Sequence, residues 1–351
     1  MSKMIKFPSI EQYRNVVRNV QQKARYKGVD EVGKAIFDPF IKLPKLKFEG
    51  TVKLHGTNAA VGFARDDTMW VQSRENIITP EKDNAGFAAF AQANIANFKN
   101  IAQDAFALPN IIEGHVLIFG EWCGGNIQKG VAISQIPKMF VIFGIALVDN
   151  DNNKKYLTRT QVEKCTVGFN ASHSGQIFSI YNYPTFGCEI DFENPHEIQQ
   201  FLTDRTTEVG DECPVGRAFG VFGVGEGIVW RCVTEGWEDS QFWFKVKDER
   251  HSNSKVKTLP TVDVERINDI KELCDKLAND GRLAQGLQVV FNTLNDGEVD
   301  IKRTGDFIKW IMSDIFKEET DTIAASGFNG KELNGPIGKM ARDYLMQNLR
   351  V

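Results

Sequence analysis

A chain of 351 residues, 42% hydrophobic and 25% charged, is long enough for about two domains and apolar enough for more than one core. That composition excludes disordered and fibrous classes, and a net charge of −4 excludes an indiscriminate nucleic-acid coat while leaving room for a local basic surface. The longest apolar run, Phe140 to Val148, falls far short of the roughly 20 residues of a membrane span, so no membrane partner is expected, and without a secretory h-region the expected compartment is the cytoplasm.

Residues 1–29 hold seven Lys or Arg against the single acid Glu11, a local charge of +6. Within them Ile10, Tyr13, Val16, Val17 and Val20 recur at helical spacing behind Ser9 as N-cap, which predicts a short amphipathic helix with Arg14, Arg18, Lys23 and Arg25 on its outer face. A solvated face and an RNA contact account for that charge equally well.

From Phe48 to Lys247 the texture changes to short alternating or apolar runs: Phe48–Leu54, Ala59–Phe63, Thr68–Ser73, Val116–Glu121, Phe140–Val148, Ile228–Val233 and Gln241–Lys247. These predict strands, with an inserted helix over Asn84–Phe106. Beyond Ser254 the pattern turns helical, over Val262–Ala278, Arg282–Leu294, Asp300–Phe316 and Pro336–Leu349, and the stripe Phe307, Ile308, Ile311, Ile315, Phe316 predicts packing. The expected class is therefore α+β: an antiparallel-sheet domain over residues 1–257 followed by a small helical domain over 258–351, which alone carries the net charge of −4. The six cysteines show neither Cys-x-x-Cys nor zinc-type Cys/His spacing, as expected for reduced thiols.

The strongest chemical signal is Lys53-Leu54-His55-Gly56-Thr57-Asn58, where strand periodicity puts Thr51, Lys53 and His55 on one face. Taken alone, such a string describes a surface hairpin lysine better than a site. Four further segments change the balance. Glu121 ends an apolar strand, and Glu226 stands before Gly227, which permits close ligand approach. Trp243, Lys245 and Lys247 share a face opposite Phe242, Phe244 and Val246, while Phe143 lies in a strand that reads as core.

In that order, Lys53, Glu121, Phe143, Glu226 and Lys245-x-Lys247 resemble the covalent nucleotidyltransferases, the superfamily of ATP-dependent ligases and capping enzymes. The closer resemblance is to the phage RNA ligase 2 family, whose motif Lys-x-His-Gly-Thr-Asn stands here unchanged, where DNA ligases and capping enzymes show Lys-x-Asp-Gly-x-Arg. It covers roughly residues 45 to 250 and implies an antiparallel-sheet nucleotidyltransferase (adenylation) domain. Two positions depart from the pattern: Gly144 lacks the carboxylate often found after the phenylalanine, and Val52 replaces an acid often found before the nucleophile.

The resemblance implies that Lys53 attacks the α-phosphate of ATP. An ordinary lysine amine is neutral in only about one molecule in two thousand at pH 7, so neighbouring cations or a bound metal must favour the reactive form. It further implies that Lys245 and Lys247 neutralise the α-phosphate, that Glu226 holds a divalent metal, Mg²⁺ or Mn²⁺, through water, that Glu121 meets the ribose and that Phe143 stacks on adenine. Arg74 would stand near the nucleotide and the RNA phosphate, His55 near the leaving phosphates and Asn58 near the RNA 5′-end. The implied activity is ATP-dependent RNA joining through lysyl-AMP and RNA-adenylate, sealing nicks in duplex RNA as in RNA repair. A DNA ligase or capping-type enzyme is the alternative among enzymes, yet those append a β-rich OB-fold where residues 258–351 read helical. An inactive RNA-binding descendant is the other alternative, and it has no need of the nucleophile and both lysines.

Overall fold

The computed structural model describes residues 4–83, 85–108, 114–169, 175–248, 270–291, 293, 297–326 and 328–349. The boundary expected at 257/258 lies outside the described residues, as do the first residues of the helix expected over Val262–Ala278.

Helix α1 (Tyr13–Arg25) leads into a small hairpin, β1 (Tyr26–Val29) with β2 (Ala35–Phe37). The strands β3 (Lys45–Lys53), β4 (Thr57–Ala64), β5 (Met69–Ser73) and β6 (Ile77–Ile78) follow. Helices α2 (Phe87–Ala93) and α3 (Ile95–Phe106) precede β7 (Gly114–Cys123), β8 (Met139–Asp149) and β9 (Lys154–Tyr156). Then come α4 (Arg159–Cys165), β10 (Ile177–Ser179), β11 (Thr185–Asp191), α5 (Gln199–Asp211), α6 (Pro214–Ala218), β12 (Gly227–Cys232) and β13 (Phe244–Lys247). The C-terminal part is helical: α7 (Ile270–Leu277), α8 (Asp280–Phe291), α9 (Thr304–Glu318), α10 (Thr320–Ala325) and α11 (Gly330–Asn348).

Two sheets carry the α+β part. One has the order β10-β8-β7-β4-β5-β6, antiparallel except where β10 runs parallel to β8, and β9 also pairs with β8. The other is antiparallel, β11-β3-β12-β13, with Lys53 opposite Gly227 and Gly227 opposite Lys247. Period-2 alternation gives this second sheet two unlike faces. Phe48, Val52, Ile228, Trp230, Phe244 and Val246 are buried on one, where α1 and α5 add Val16, Val17, Val20, Leu202 and Val209. The opposite face presents Thr51, Lys53, Val229, Arg231, Lys245 and Lys247 to a cleft. Helices α2, α3 and α4 cover the far face of the first sheet with Phe87, Phe98, Ile101 and Val162.

Each expected strand is present, most of them longer at one or both ends, while the expected ends Leu54, Thr68 and Val233 fall just outside β3, β5 and β12; the stretch from Gln241 begins instead as a 3₁₀ turn (Ser240–Phe242) before β13. The single helix expected over Asn84–Phe106 is two helices broken at Asn94, whose side chain bonds the Phe90 carbonyl at 2.9 Å, and Asn84 itself lies outside the described residues. The N-terminal helix also starts later than its periodicity predicts, at Tyr13, with no side-chain cap from Gln12, and Ser9 instead meets Lys317 Nζ at 3.3 Å. The cause is a competing partner. Glu11 lies alongside Phe244 of β13, its N–H donating to the Trp243 carbonyl at 3.2 Å and its carbonyl accepting from Lys245 N–H at 3.0 Å.

The expected outer face of α1 also needs correction. Arg14 is buried, and its Nη2 donates to the Glu318 carbonyl at 2.5 Å, so it faces the C-terminal helices rather than solvent. In that helical part Phe307, Ile311 and Ile315 are buried against Leu273, Leu277, Leu283, Leu333, Ile337 and Leu345, as the apolar stripe on α9 requires. Arg282 is buried among them, donating to Asp314 at 2.9 Å and lying 3.3 Å from Glu319, which compensates its charge.

Candidate active site

The cleft between the two sheets has a volume of about 1010 Å³ and is lined by Lys53, His55, Asn58, Arg74, Glu121, Phe143, Glu226, Lys245 and Lys247, every site residue expected from the sequence. At its centre is Glu226, 3% exposed, on the turn into β12. Lys53 Nζ stands 2.7 Å from its Oε2, Lys247 Nζ 3.2 Å from its Oε1, and His55 Nδ1 3.3 Å from Oε2. The register explains the convergence: Gly227 sits between Lys53 and Lys247 in the sheet, so the preceding carboxylate lies between two cross-strand lysines. Burial alone would raise Glu226, but Lys53, Lys247 and His55 together hold it well below the usual carboxylate range.

Two glycines make this packing possible. Gly227 has φ +150°, and a Cβ there would fall 2.1 Å from the Val246 carbonyl oxygen. A Cβ on Gly56 would fall 2.5 Å from the Trp122 carbonyl oxygen, so the turn after Lys53 lies directly against β7. There the Gly56 backbone favours the ionised form of Glu121. Burial pushes Glu121 up to about 7, with Lys53 pulling it down and Glu226 adding to the rise.

Phe143 reaches the cleft through a β-bulge. Phe119 pairs with Gly144 and Gly120 with Ile142, so Phe143 is the extra residue in β8. Its ring meets Phe7 edge-on at 4.9 Å, and Ile180 and Val229 line the cleft with it. Arg74 lies on the exposed rim, its Nε 3.9 Å from Glu75, outside the Glu226 cluster.

Sequence reasoning missed three contributors. Arg231, on β12, bonds the Phe143 carbonyl at 2.8 Å. Glu318, at the end of α9, lies 3.5 Å from Lys245. Asn279, Asp280, Gln285 and Gln288, just before and along α8, line the mouth of the cleft. The alternation that puts Val229 and Arg231 on the Lys53 face was readable once β12 was paired with β3; the approach of α8 and α9 carries no local sequence signal. Burial lowers Lys245, Glu318 opposing this and Lys247 and Lys53 adding to it. Glu318 is held low, its own burial outweighed by Lys245 and by a Gln12 hydrogen bond at 3.0 Å. Glu318 therefore competes for Lys245 with any anion entering the cleft. Because both side chains are about a quarter exposed, the pair is weak. Glu318→Gln is expected to lower KM for an anionic nucleotide by roughly two- to fivefold, with kcat little changed, as steady-state kinetics would show.

Among the described residues no group of three or more His, Cys, Asp or Glu is placed to hold a metal ion. The buried Glu226 carboxylate would suit a hydrated divalent ion that takes its remaining ligands from phosphate oxygens and water.

The RNA ligase family model matches residues 46–247, more than half of the chain, and the chain belongs to that family. Among solved structures it is similar to RNA ligase from Naegleria gruberi. For a mutant with ATP and Mn the identity is 18% and the TM-score 0.43, for a mutant with AMP and Mn 19% and 0.42, and for the enzyme with PPi 18% and 0.43. Each match covers 71% of this chain and 58% of the Naegleria chain, so this chain spans little more than half the length of those ligases. No curated protein matches it. Among the described residues no helix is long and apolar enough to cross a membrane.

Proposed function

We propose that the protein is an ATP-dependent RNA ligase of the RNA ligase 2 type, which seals nicks in duplex RNA. The observation that carries this reading is a lysine amine held 2.7 Å from a buried carboxylate, with two further lysines on the same sheet face, in a chain of the RNA ligase family. The Lys53 amine forms a bond to the α-phosphorus of ATP as the α–β phosphoanhydride breaks and pyrophosphate leaves, which yields lysyl-AMP. The RNA 5′-phosphate then displaces Lys53 to give RNA-adenylate, and a 3′-hydroxyl attacks that phosphate and releases AMP.

Glu226 engages Lys53, Lys247 and His55. Arriving phosphates would draw Lys247 and Lys245 to themselves, where the two neutralise charge growing on the α-phosphate. Glu226 would hold Mg²⁺ or Mn²⁺, which supplies further neutralisation of the phosphates. Phe143 stacks on adenine, and Glu121 accepts hydrogen bonds from the ribose. Arg74 on the rim and Asn58 serve the RNA end. The helices from Ile270 onward, whose α8 already lines the cleft mouth, serve as the second domain that holds the duplex.

The test is intact mass after incubation with ATP and Mg²⁺ or Mn²⁺, followed by sealing of nicked RNA, nicked DNA and single-stranded RNA. An AMP adduct with preferential sealing of nicked RNA is expected. Absence of adduct, after pyrophosphate treatment to clear pre-formed lysyl-AMP, overturns the enzyme reading.

Glu121 adds a pH dependence. With its carboxyl near 7, the ionised acceptor form grows in as pH rises, so kcat/KM for ATP is expected to climb through pH 7 and to lose that limb in Glu121→Gln. The stability effect has the opposite sign. The native carboxyl keeps its proton between 4.5 and about 7 while the unfolded one releases it, so folding weakens as pH rises across that window. Melts of Glu121→Gln should show a gain above pH 7 of at most about 3 kcal/mol, less for the partial exposure of the side chain to the cleft.

A further inference from the structure

The β1–β2 hairpin stands apart from the cores. Every residue of its two strands except the half-buried Gly28 is exposed, and among the described residues neither strand pairs with any other. At its base the Asp38 N–H donates to the Arg25 carbonyl at 2.8 Å. At its tip Asp30 Oδ1 accepts from the N–H groups of Val32 and Lys34 at 3.0 and 2.8 Å, and beyond β2 Asp38 Oδ1 accepts from Phe40 N–H at 3.0 Å. These turns hold Val32 and Phe40 outward, 87% and 94% exposed. A two-stranded hairpin alone in water is marginally stable, so an arm with no core of its own gains from a surface that completes it.

The register sorts the arm into two faces. Tyr26 pairs with Phe37 and Val29 with Ala35, while Gly28 pairs with Ile36, which leaves Lys27 as the extra residue of a bulge. Alternation along β2 therefore puts Tyr26, Val29, Ala35 and Phe37 on one face and Ile36 with Gly28 on the other. The first face is wholly apolar, and its Tyr26 and Phe37 rings meet edge-on with centroids 6.0 Å apart. With Val32 and Phe40 added, the arm opens roughly 600 Å² of apolar residues to solvent, the upper end of what a monomer exposes as one patch and near the roughly 800 Å² that each partner gives a stable interface.

Charge says what fits there. Residues 26–42 hold Lys27, Lys34 and Lys42 against Asp30, Glu31 and Asp38, so the arm has no net charge. Phosphate backbones and anionic membrane surfaces are held by an excess of cations, which this arm lacks. A neutral apolar face suits another of the same kind, and a second copy of the chain supplies one across a two-fold axis. The arm's place also leaves the cleft free. Lys23, near the end of α1, bonds the Gly236 carbonyl in the loop after β12, at the Cys232 end of that strand, roughly 17 Å along it from Gly227 and its lysine partners.

We propose that the hairpin is a dimerisation arm: the Tyr26, Val29, Ala35 and Phe37 faces of two copies pack on each other about a two-fold axis, with both clefts open. This stands independently of the reading of the cleft.

The test is sedimentation velocity of the full chain over a range of concentrations, for wild type, Phe37→Glu, Val29→Glu and Ile36→Glu. Wild type is expected to pass from monomer to dimer as concentration rises. Phe37→Glu and Val29→Glu each place two carboxylates in the shared face and are expected to weaken the dimer at least about 100-fold. Melting of dilute, monomeric samples should be unchanged in both, because neither residue is buried in the single chain. Ile36→Glu, one residue away but on the opposite face, should dimerise as wild type does. Either of the first two variants suffices where the other does not fold. A wild type that stays monomeric at every concentration, a dimer that tolerates both Phe37→Glu and Val29→Glu, or one that loses as much to Ile36→Glu overturns the proposal. A monomeric wild type whose affinity for nicked RNA falls in Phe37→Glu overturns it in favour of RNA as the occupant.

Discussion

Lys53→Arg is expected to form no AMP adduct, a loss of at least about 10⁴-fold, while melting close to wild type. The guanidinium keeps a cation beside Glu226, so the ion pair now 2.7 Å long has a successor, but it does not deprotonate in proteins and cannot act as nucleophile. Lys53→Ala should be equally inactive and also less stable. Glu226 would keep Lys247 and His55 but lose its shortest contact, and because part of the cleft is open the cost should be about 1–2 kcal/mol, below that of a fully buried broken pair. The linkage sign follows from the lowered Glu226. Its stabilisation is present above the unfolded carboxyl range and is lost as pH falls through the folded value, so in Lys53→Ala, with less depression, acid unfolding begins at higher pH. Intact mass separates the two chemical outcomes, and melts across pH 3–7 separate the two stabilities.

Glu226→Ala is expected to reduce adduct formation by at least about 10³-fold, without rescue by excess Mg²⁺ or Mn²⁺, and to destabilise the fold by about 3 kcal/mol. Three nitrogen groups converge on a carboxylate that is 3% exposed, and removing it leaves Lys53 and Lys247 facing each other across β12 with no anion between them. Glu226→Gln preserves shape but not charge and should recover part of the stability and little of the activity. Mn²⁺ binding followed by electron paramagnetic resonance, in the presence of a non-hydrolysable ATP analogue, separates loss of the ion from loss of the lysine arrangement. If Glu226→Ala forms adduct at a tenth of the wild-type rate or better, Glu226 is a structural counter-ion and the metal assignment fails.

The reach of the sequence can be judged residue by residue. Lys53, Lys245 and Lys247 were legible because period-2 alternation is a local property and cationic side chains on otherwise apolar strands stand out. Glu226 was legible as a carboxylate before a strand with a glycine behind it, although that glycine, read as room for a ligand, instead lets β12 pass close to the Val246 carbonyl of β13. That Phe143 reaches the cleft as a bulged residue depends on a one-residue slip between β7 and β8, which neither strand announces by itself. Glu318 and α8 were invisible because their place comes from how the helical part sits over the cleft mouth, held by Gln12 and Arg14. The N-terminal helix shows the limit in reverse: its periodicity extends back to Ile10, yet the backbone at Glu11 spends its hydrogen bonds on β13.

That pairing of Glu11 with β13 has a bearing on solubility. β13 is the last strand of its sheet, and an outermost strand with open N–H and C=O groups is a template on which another chain can add. The two hydrogen bonds from Glu11 occupy that outer side at Trp243 and Lys245, the stretch that also carries the Lys245 amine of the cleft. The segment before α1 thus works as a guard against self-association as well as a brace for the cleft. Proteolytic trimming past Glu11 would couple two failures that ordinarily have separate origins, a drop in nucleotide affinity and the appearance of β-linked aggregates.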